Sequence, residues 1–378
     1  MQRFIGVMSG TSVDAVDAVL CRINNQGALQ LEGFYSTVIP LPLKKRLQQA
    51  MTDKPQSLTQ FKQLEADYSR QVSDTINTLL HHQSIDSKDI TAAGCHGQTL
   101  WHFPPSRANT NAPFSLQLLN AAQVSMQTGI SIISDFRQKD IAAGGEGAPL
   151  VPAFHHHLLE ATPDNRKAVL NLGGIANITL LNGQQDEVLG FDTGPANTLL
   201  DSWYRSHYSS GDYDEDGKIA ASGSINQPLL SRLLGEPYFT KQAPKSTGRE
   251  LFNPIWLSSR LAGDERPQDV MATLIELTAI TCIAGIRSLT DNISEVIACG
   301  GGVNNGALMS ALRGQLQQQF GQVIPLRTTL EYGIDPQRVE AMAFAWFAWC
   351  YEHKKPANLP AVTGARCPVI LGSKVVAN

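Results

Sequence analysis

The sequence predicts an α/β protein of two lobes, and three observations carry that prediction. The chain has 378 residues, more than one hydrophobic core comfortably serves when domains run to about 100–200 residues. Helical and strand-like patterns alternate along it, as mixed α/β architecture requires. A strand, glycine turn and strand also occur twice. Arg3–Met8, the turn Ser9-Gly10-Thr11-Ser12 and Val16–Ile23 open the first half; Lys167–Leu172, Gly173-Gly174 and Ile175–Leu181 open the second. Two lobes imply a cleft for a ligand.

After the first hairpin the pattern predicts a helix over Leu58–His81, a strand over Asp89–Cys95, a helix near Leu116–Thr128 and a strand over Ile130–Ser134. Pro163, Asp164 and Asn165 give Glu160–Arg166 the composition of a linker, so the lobes are expected as residues 1–165 and 166–378. The second lobe then reads as a strand over Glu187–Phe191, helices near Asn197–Ser206, Pro267–Leu289 and Asn305–Phe320, a strand over Glu295–Cys299 and a closing helix over Pro336–Tyr351. Ser209–Gly217 is acidic and is expected to be a solvated loop.

Composition narrows the function. Hydrophobic residues at 42%, charged residues at 17% and a mean hydropathy of -0.14 describe an ordinary globular chain. A net charge of -4 and a pI near 6.1 offer no broad attraction to nucleic acid or to an anionic membrane, so a small solute is the expected partner. The six cysteines lie scattered, without a CxxC pair or zinc-ligand spacing, and read as reduced, mostly buried thiols. The chain enters a strand pattern at once, without an export leader, and its apolar run Ala341–Trp349 is far short of the ~20 residues that span a bilayer. A cytoplasmic location is expected.

Several short constellations carry chemistry. A glycine and hydroxyl turn between strands aims backbone N–H groups at one spot, as a phosphate needs, and Ser9-Gly10-Thr11-Ser12 has that form; Asp14 and Asp17 beside it are candidate magnesium ligands. An ordinary hairpin turn reads the same way. Asn171-Leu-Gly-Gly-Ile-Ala-Asn177 repeats the device, with Asn177 available to a phosphate or a water. Phe191-Asp192-Thr-Gly-Pro-Ala-Asn197 sets Asp192 at the carboxyl end of a strand, either as a catalytic base or as the cap of the following turn. Cys299-Gly300-Gly301-Gly302-Val303-Asn304-Asn305 joins a strand to a helix through glycines that let backbone approach a flat ligand such as adenine.

In the first half, Gly94-Cys95-His96-Gly97-Gln98-Thr99 and Ser134-Asp135-Phe136-Arg137 end strands with groups suited to a sugar pocket. His96 lacks a nearby Asp or Ser partner and is read as a binding residue, while consecutive His155, His156 and His157 point in different directions on a helix and do not make a metal site. Glu340 opens the closing apolar helix, either favouring its dipole or reaching into the cleft.

Taken in order, GVMSGTSVDAVDAVL, CHGQTLWHFP, SDFRQKDIAAGGEGAPLVP, LNLGGIANIT, GFDTGPAN, PKSTGRELFN, CGGGVNN and VEAMAFAW resemble the anhydro-N-acetylmuramic acid kinases of bacterial cell-wall recycling. The resemblance spans nearly the whole chain. It implies two ribonuclease-H-like lobes with a nucleotide cleft between them, the actin-like ATPase fold, and ATP with magnesium as cofactors. The segment Gly10, Thr11, Ser12, Val13, Asp14, Ala15, Val16 and Asp17 would bind the ATP phosphates, Gly173 and Gly174 would form the second phosphate turn, and Gly300, Gly301, Gly302 and Asn304 would contact adenosine. Ser9, His96, Thr99, Arg137 and Glu340 would hold the sugar, with Arg137 on its lactyl carboxylate. Asp192 would be the base that draws a proton from the water opening the 1,6-anhydro bridge. Ala15 stands where the family commonly has glycine. The resemblance also suggests a homodimer, for which the sequence shows no apolar stripe of its own. A plain hydroxyl or acetate-type kinase shares the fold, as does an ATPase that drives assembly, though no client-binding segment stands out.

Overall fold

A strand covered on both faces must be apolar at consecutive positions, not alternate ones. Gln2–Met8 (β1) is buried from Phe4 to Val7, and Lys167–Leu172 is buried throughout. Each is the central strand of its own sheet in the computed structural model, which describes residues 1–10, 12–52, 57–106, 112–184 and 187–377. Ala15–Ile23 (β2) and Leu29–Val38 (β3) extend β1 as an antiparallel meander; Ile90–Cys95 (β4) and Ile132–Ser134 (β7) add on its other side in parallel. Gln98–Phe103 (β5) and Phe114–Leu118 (β6) form a separate hairpin. The second sheet repeats the plan: Lys167–Leu172 (β8), Ile175–Leu181 (β9) and Leu189–Pro195 (β10) form the meander, while Glu295–Cys299 (β11) and Leu326–Thr328 (β12) lie parallel beyond β8. Ser373–Val375 (β13) closes the far edge of the first sheet against β7. The orders β3-β2-β1-β4-β7 and β10-β9-β8-β11-β12 are the same topology, and each unit is ribonuclease-H-like.

By packing, the chain divides into Met1–Phe154 with Arg338–Asn378, and His155–Gln337. The division expected from the linker composition instead kept 338–378 with the second lobe. The difference comes from the helix Val339–Glu352, which is apolar nearly all round and so needs burial on several sides. It lies on β1, β2 and β4. Gly6 and Gly94 are register partners there, and a Cβ on them would come to 1.9 Å from the Ala341 carbonyl oxygen and 2.1 Å from that of Phe344. Only glycine lets the helix approach so closely. Nothing in the apolar pattern of this helix says which sheet carries those glycines.

The second core is centred on the helix Pro267–Leu289, as the pattern predicted, with Pro267 at its first turn. It is long and apolar enough to cross a membrane, with a mean hydropathy of 1.7, but 72% of that stretch is buried inside the fold. Burial by its own protein identifies a core helix. Other boundaries differ locally. The helix expected over Leu116–Thr128 is a helix only from Ala121 to Thr128, capped by the Asn120 side chain, because Phe114–Leu118 pairs with β5. The strand expected to end at Phe191 continues to Pro195, which places Asp192 within β10. A register shift between Asp192 and Gly194, with Gly194 at φ 151°, lets the strand continue past the point where the Gly-Pro pair seemed to break it.

Candidate active site

Residues paired across neighbouring strands share a face. Asp192 pairs with Asn177, Asn177 with Asn171, and Asn171 with Cys299, so one polar row crosses β10, β9, β8 and β11 below the Gly173-Gly174 turn. The turn is fixed from behind. Its two carbonyls accept the backbone N–H groups of Ala196, Asn197 and Thr198, where the helix Asn197–His207 begins, and the Asn197 amide donates to the Leu172 carbonyl at 3.0 Å. Within the row, the buried Asn177 Oδ1 has no hydrogen-bond partner.

Asp192 is held at three atoms. Thr247 donates its backbone N–H to Asp192 Oδ2 at 3.0 Å, the Tyr238 hydroxyl donates to the Asp192 carbonyl at 2.6 Å, and the Asp192 N–H reaches the Lys245 carbonyl at 3.4 Å. Lys245 anchors this loop from beneath. Its ammonium donates to the carbonyls of Tyr238 and Phe239 and stands 4.9 Å from the ring centres of both Phe191 and Tyr238. Burial, and then Lys241 nearby, push its ammonium below the usual lysine range. No role for Lys245, Ser246 or Thr247 follows from the sequence alone. A hydroxyl pair between a lysine and a glycine was the available signal, and it resembled any polar loop.

The three glycines after β11 have different duties. Gly300 stands at φ 82°, where a Cβ would meet Asn171 Oδ1 at 2.5 Å, and a Cβ on Gly302 would meet the Leu172 side chain at 2.6 Å. Both are needed for the connection to fold onto β8. Gly301 has nothing within 4 Å of its would-be Cβ, and Asn304 is exposed, so these two are the positions a flat ligand can reach. Asn305 caps the helix Gly306–Phe320, and Asp216 accepts the Gly306 N–H at 3.2 Å. The acidic loop is tied to this motif through Asp216, while Ser209–Tyr213, Glu215 and Asp216 are exposed, as expected of a solvated loop. Asp214 also accepts the N–H groups of Ile219 and Ala220.

In the first unit the turn between β1 and β2 is longer. Thr11 lies outside the described residues. Ser9 is buried, with its hydroxyl donated to Gln98 Oε1 at 2.6 Å, and Gln98 Nε2 donates to the Gly10 carbonyl at 3.2 Å, so Ser9 positions the turn and is not displayed to a ligand. Val13 and Val16 are fully buried in the core and anchor the segment. Val13 holds φ 58°, a conformation that costs a β-branched residue about 1–3 kcal/mol and that the turn must therefore over-determine. A Cβ on Gly10 would meet only Ser12 Oγ, at 3.8 Å, which leaves its backbone approachable. Ala15 begins β2 opposite Val38.

The magnesium expectation meets a poor donor set. Asp14 is paired with Lys44 at 2.6 Å, and Asp17 accepts the Ser36 hydroxyl at 2.6 Å while burial pushes its carboxyl up toward the neutral form. A hard divalent ion prefers ionised carboxylates not already engaged. No cluster of three or more His, Cys, Asp or Glu suited to a metal occurs among the described residues, His155–His157 included. His155 is buried with Nδ1 3.0 Å from the Thr179 hydroxyl, which is a packing role.

His96 and Arg137, both named as sugar-binding, are brought together: Arg137 Nε donates to His96 Nε2 at 3.1 Å. Burial first, and then the charge of Arg137, hold the imidazole neutral, well below its usual range. Arg137 also donates to the Gly147 carbonyl at 2.8 Å, and the Gly147 N–H donates to Asp140, a fully buried carboxylate that also accepts from Asn358 and Thr363. Asp140, unassigned from sequence, thus fixes the arginine through Gly147. Thr99 accepts from Gln117 at 3.2 Å beside Ser115 and His102 on the β5–β6 hairpin. Glu340 is the second residue of the helix Val339–Glu352.

The family model for anhydro-N-acetylmuramic acid kinase matches residues 2–377. The chain belongs to the anhydro-N-acetylmuramic acid kinase family. It is 46% identical over 376 residues to the anhydro-N-acetylmuramic acid kinase of Idiomarina loihiensis, covering 99% of each chain. Among solved structures, an activator of 2-hydroxyisocaproyl-CoA dehydratase from Clostridium difficile with bound ADPNP shares 12% identity over 93% of this chain and 96% of its own, with a TM-score of 0.46. A glucokinase from Streptomyces griseus in complex with glucose and AMPPNP shares 11% identity over 91% of this chain and 98% of its own, at 0.39. At those scores neither likeness bears on what this chain binds. As a member of the anhydro-N-acetylmuramic acid kinase family, the chain is a transferase acting on a small sugar.

Proposed function

We propose that this chain transfers the γ-phosphoryl group of ATP to the sixth oxygen of 1,6-anhydro-N-acetylmuramic acid while water opens the anhydro bridge, giving N-acetylmuramic acid 6-phosphate. The observation that carries this reading is the immobilised Asp192 carboxylate, one oxygen bonded to the Thr247 N–H, in a polar row with Asn177 beneath a glycine turn. A base held in one orientation accepts a proton without reorganising. Asp192 takes a proton from water, the water oxygen bonds to the anomeric carbon, and the bond from that carbon to the bridging oxygen breaks. The released oxygen attacks the γ-phosphorus, and ADP departs.

Backbone at Gly10 in the first unit, and at Gly173, Gly174 and Gly301 in the second, suits phosphate and nucleotide. Arg137, held by His96 and Gly147, suits the lactyl carboxylate, and Thr99 a sugar hydroxyl. Magnesium is expected to accompany ATP, but Asp14 and Asp17 are engaged as described, and no step is assigned to it. The same reading takes the protein as cytoplasmic and homodimeric, the latter checked by sedimentation velocity.

The test is to incubate protein, ATP, magnesium and the anhydrosugar in oxygen-labelled water and weigh the product. A gain of phosphate plus one labelled water at the anomeric carbon is expected. Phosphate gain without label would leave a plain hydroxyl kinase.

A further inference from the structure

The loop beside Asp192 carries groups that the reaction above does not use. Ser246 Oγ and Thr247 Oγ1 are both buried and lack any hydrogen-bond partner, as does Asn177 Oδ1 in the strand position paired with Asp192. Orphaned buried polar groups are uncommon in folded proteins because each forfeits its hydration, and adjacent ones at one place mark where a ligand or an ordered water belongs. The loop is also built to hold its shape. Lys245 is tied to two carbonyls, Phe252 is fully buried against Phe239 with ring centres 5.6 Å apart, and the Gly248 carbonyl accepts the N–H groups of Leu251 and Phe252. A frame this constrained would not leave adjacent hydroxyls unsatisfied by accident of mobility.

The chemistry of the ligand follows from the groups. Lys245 directs its ammonium at backbone carbonyls and aromatic faces, so it does not offer its charge to a ligand at the Ser246–Thr247 step. Hydroxyls both donate and accept, and an amide oxygen accepts, a set that matches the neutral hydroxyl, ether and acetamido groups of a sugar. We propose that Ser246 and Thr247, with Asn177, form a sugar-binding shelf that seats the neutral face of the substrate against Asp192. The shelf rests on the function proposed above, and Thr247 serves it twice, by its side chain on the sugar and by its backbone N–H on the base.

Those two roles can be separated, because Thr247→Val removes the hydroxyl yet keeps the N–H and the branched shape. With wild-type protein as reference, the KM for the anhydrosugar, the KM for ATP and the Tm are measured for Ser246→Ala, Thr247→Val and Thr247→Ser. Expected are a rise of about 3- to 30-fold in sugar KM for the first two, an unchanged ATP KM and Tm, and near wild-type values for Thr247→Ser, where the hydroxyl is retained. If the wild type turns over the anhydrosugar but Ser246→Ala and Thr247→Val leave its KM unmoved, the hydroxyls hold only water and the shelf is overturned. A lowered Tm at unchanged KM overturns it equally, in favour of a folding role. A wild type that makes no product from the anhydrosugar overturns the proposed function itself, and the ligand assigned to the shelf with it.

Discussion

The three-stranded meanders that open the two sheets have one topology and different chemistry. In the first, the polar pair between the second and third strands nearest the opening turn is Asp17 with Ser36, joined at 2.6 Å, the carboxyl pushed toward neutrality by burial. In the second it is Asn177 with Asp192, where the amide oxygen is unpartnered and the carboxylate is clamped by a loop from outside the sheet. Helix seating differs as well. Glycines on the strands, Gly6 and Gly94, admit Val339–Glu352 to the first sheet, whereas on the second the glycine is on the helix, with Gly285 against Thr193, Ile178 and Phe191. A repeated frame can thus hold one carboxylate against a neighbouring hydroxyl and another against a backbone N–H from a loop outside the sheet. The backbone topology decides where the carboxylates stand, and their neighbours decide what they do.

The largest expected effect breaks the helix comparison. A Cβ at position 94 meets a backbone carbonyl at 2.1 Å, which cannot step aside, so Gly94→Ala should destabilise the protein by more than about 4 kcal/mol. At Gly285 the nearest obstacles, at 2.9 and 3.2 Å, are the side-chain ends of Thr193 and Ile178, and Gly285→Ala should cost about 1–3 kcal/mol. Urea unfolding of the two variants decides it, and equal losses would erase the distinction.

Next in size is the glycine motif of the second unit. Gly300→Ala combines φ 82° with a contact at 2.5 Å and should cost about 2–4 kcal/mol, while Gly301→Ala should leave stability within about 1 kcal/mol and instead weaken nucleotide binding. Thermal melts with and without ATP separate the two outcomes.

The smallest effect concerns acid. Burial lowers His155 to about 3 from 6.5, so below pH 6.5 the unfolded chain takes up a proton that the fold refuses. Stability is therefore complete above pH 6.5 and falls as the pH drops, by about 2 kcal/mol between pH 6.5 and 5 for this residue. His96 in the first unit acts in the same direction. His155→Asn should flatten the loss measured by chemical denaturation over that range, and an unchanged slope would show that His155 is accessible to protons.

Much of this was legible in the sequence. Lys167–Leu172, Ile175–Leu181 and Pro267–Leu289 were bounded correctly, since buried strands and core helices declare themselves by apolar runs. The polar motifs at strand ends marked Asn177, Asp192, His96 and Arg137 as residues of interest, but not the contacts that join them. Side-chain commitments were not legible: that Lys44 engages Asp14, that Gln98 engages Ser9, or that Asp216 docks on Gly306 depends on contacts 30, 89 and 90 residues apart. The PKSTGRELFN segment was recognised as a motif, but its grip on Asp192 spans 55 residues and leaves no local trace.

The most direct measurement sets the two carboxylates side by side: kcat and ATP affinity for Asp192→Asn and Asp17→Asn. Asp192→Asn should lower kcat by about 100- to 10,000-fold with ATP affinity kept, and Asp17→Asn by less than about tenfold. Comparable losses from both variants, or near-normal turnover by Asp192→Asn, would contradict the assignment of the base to the second unit.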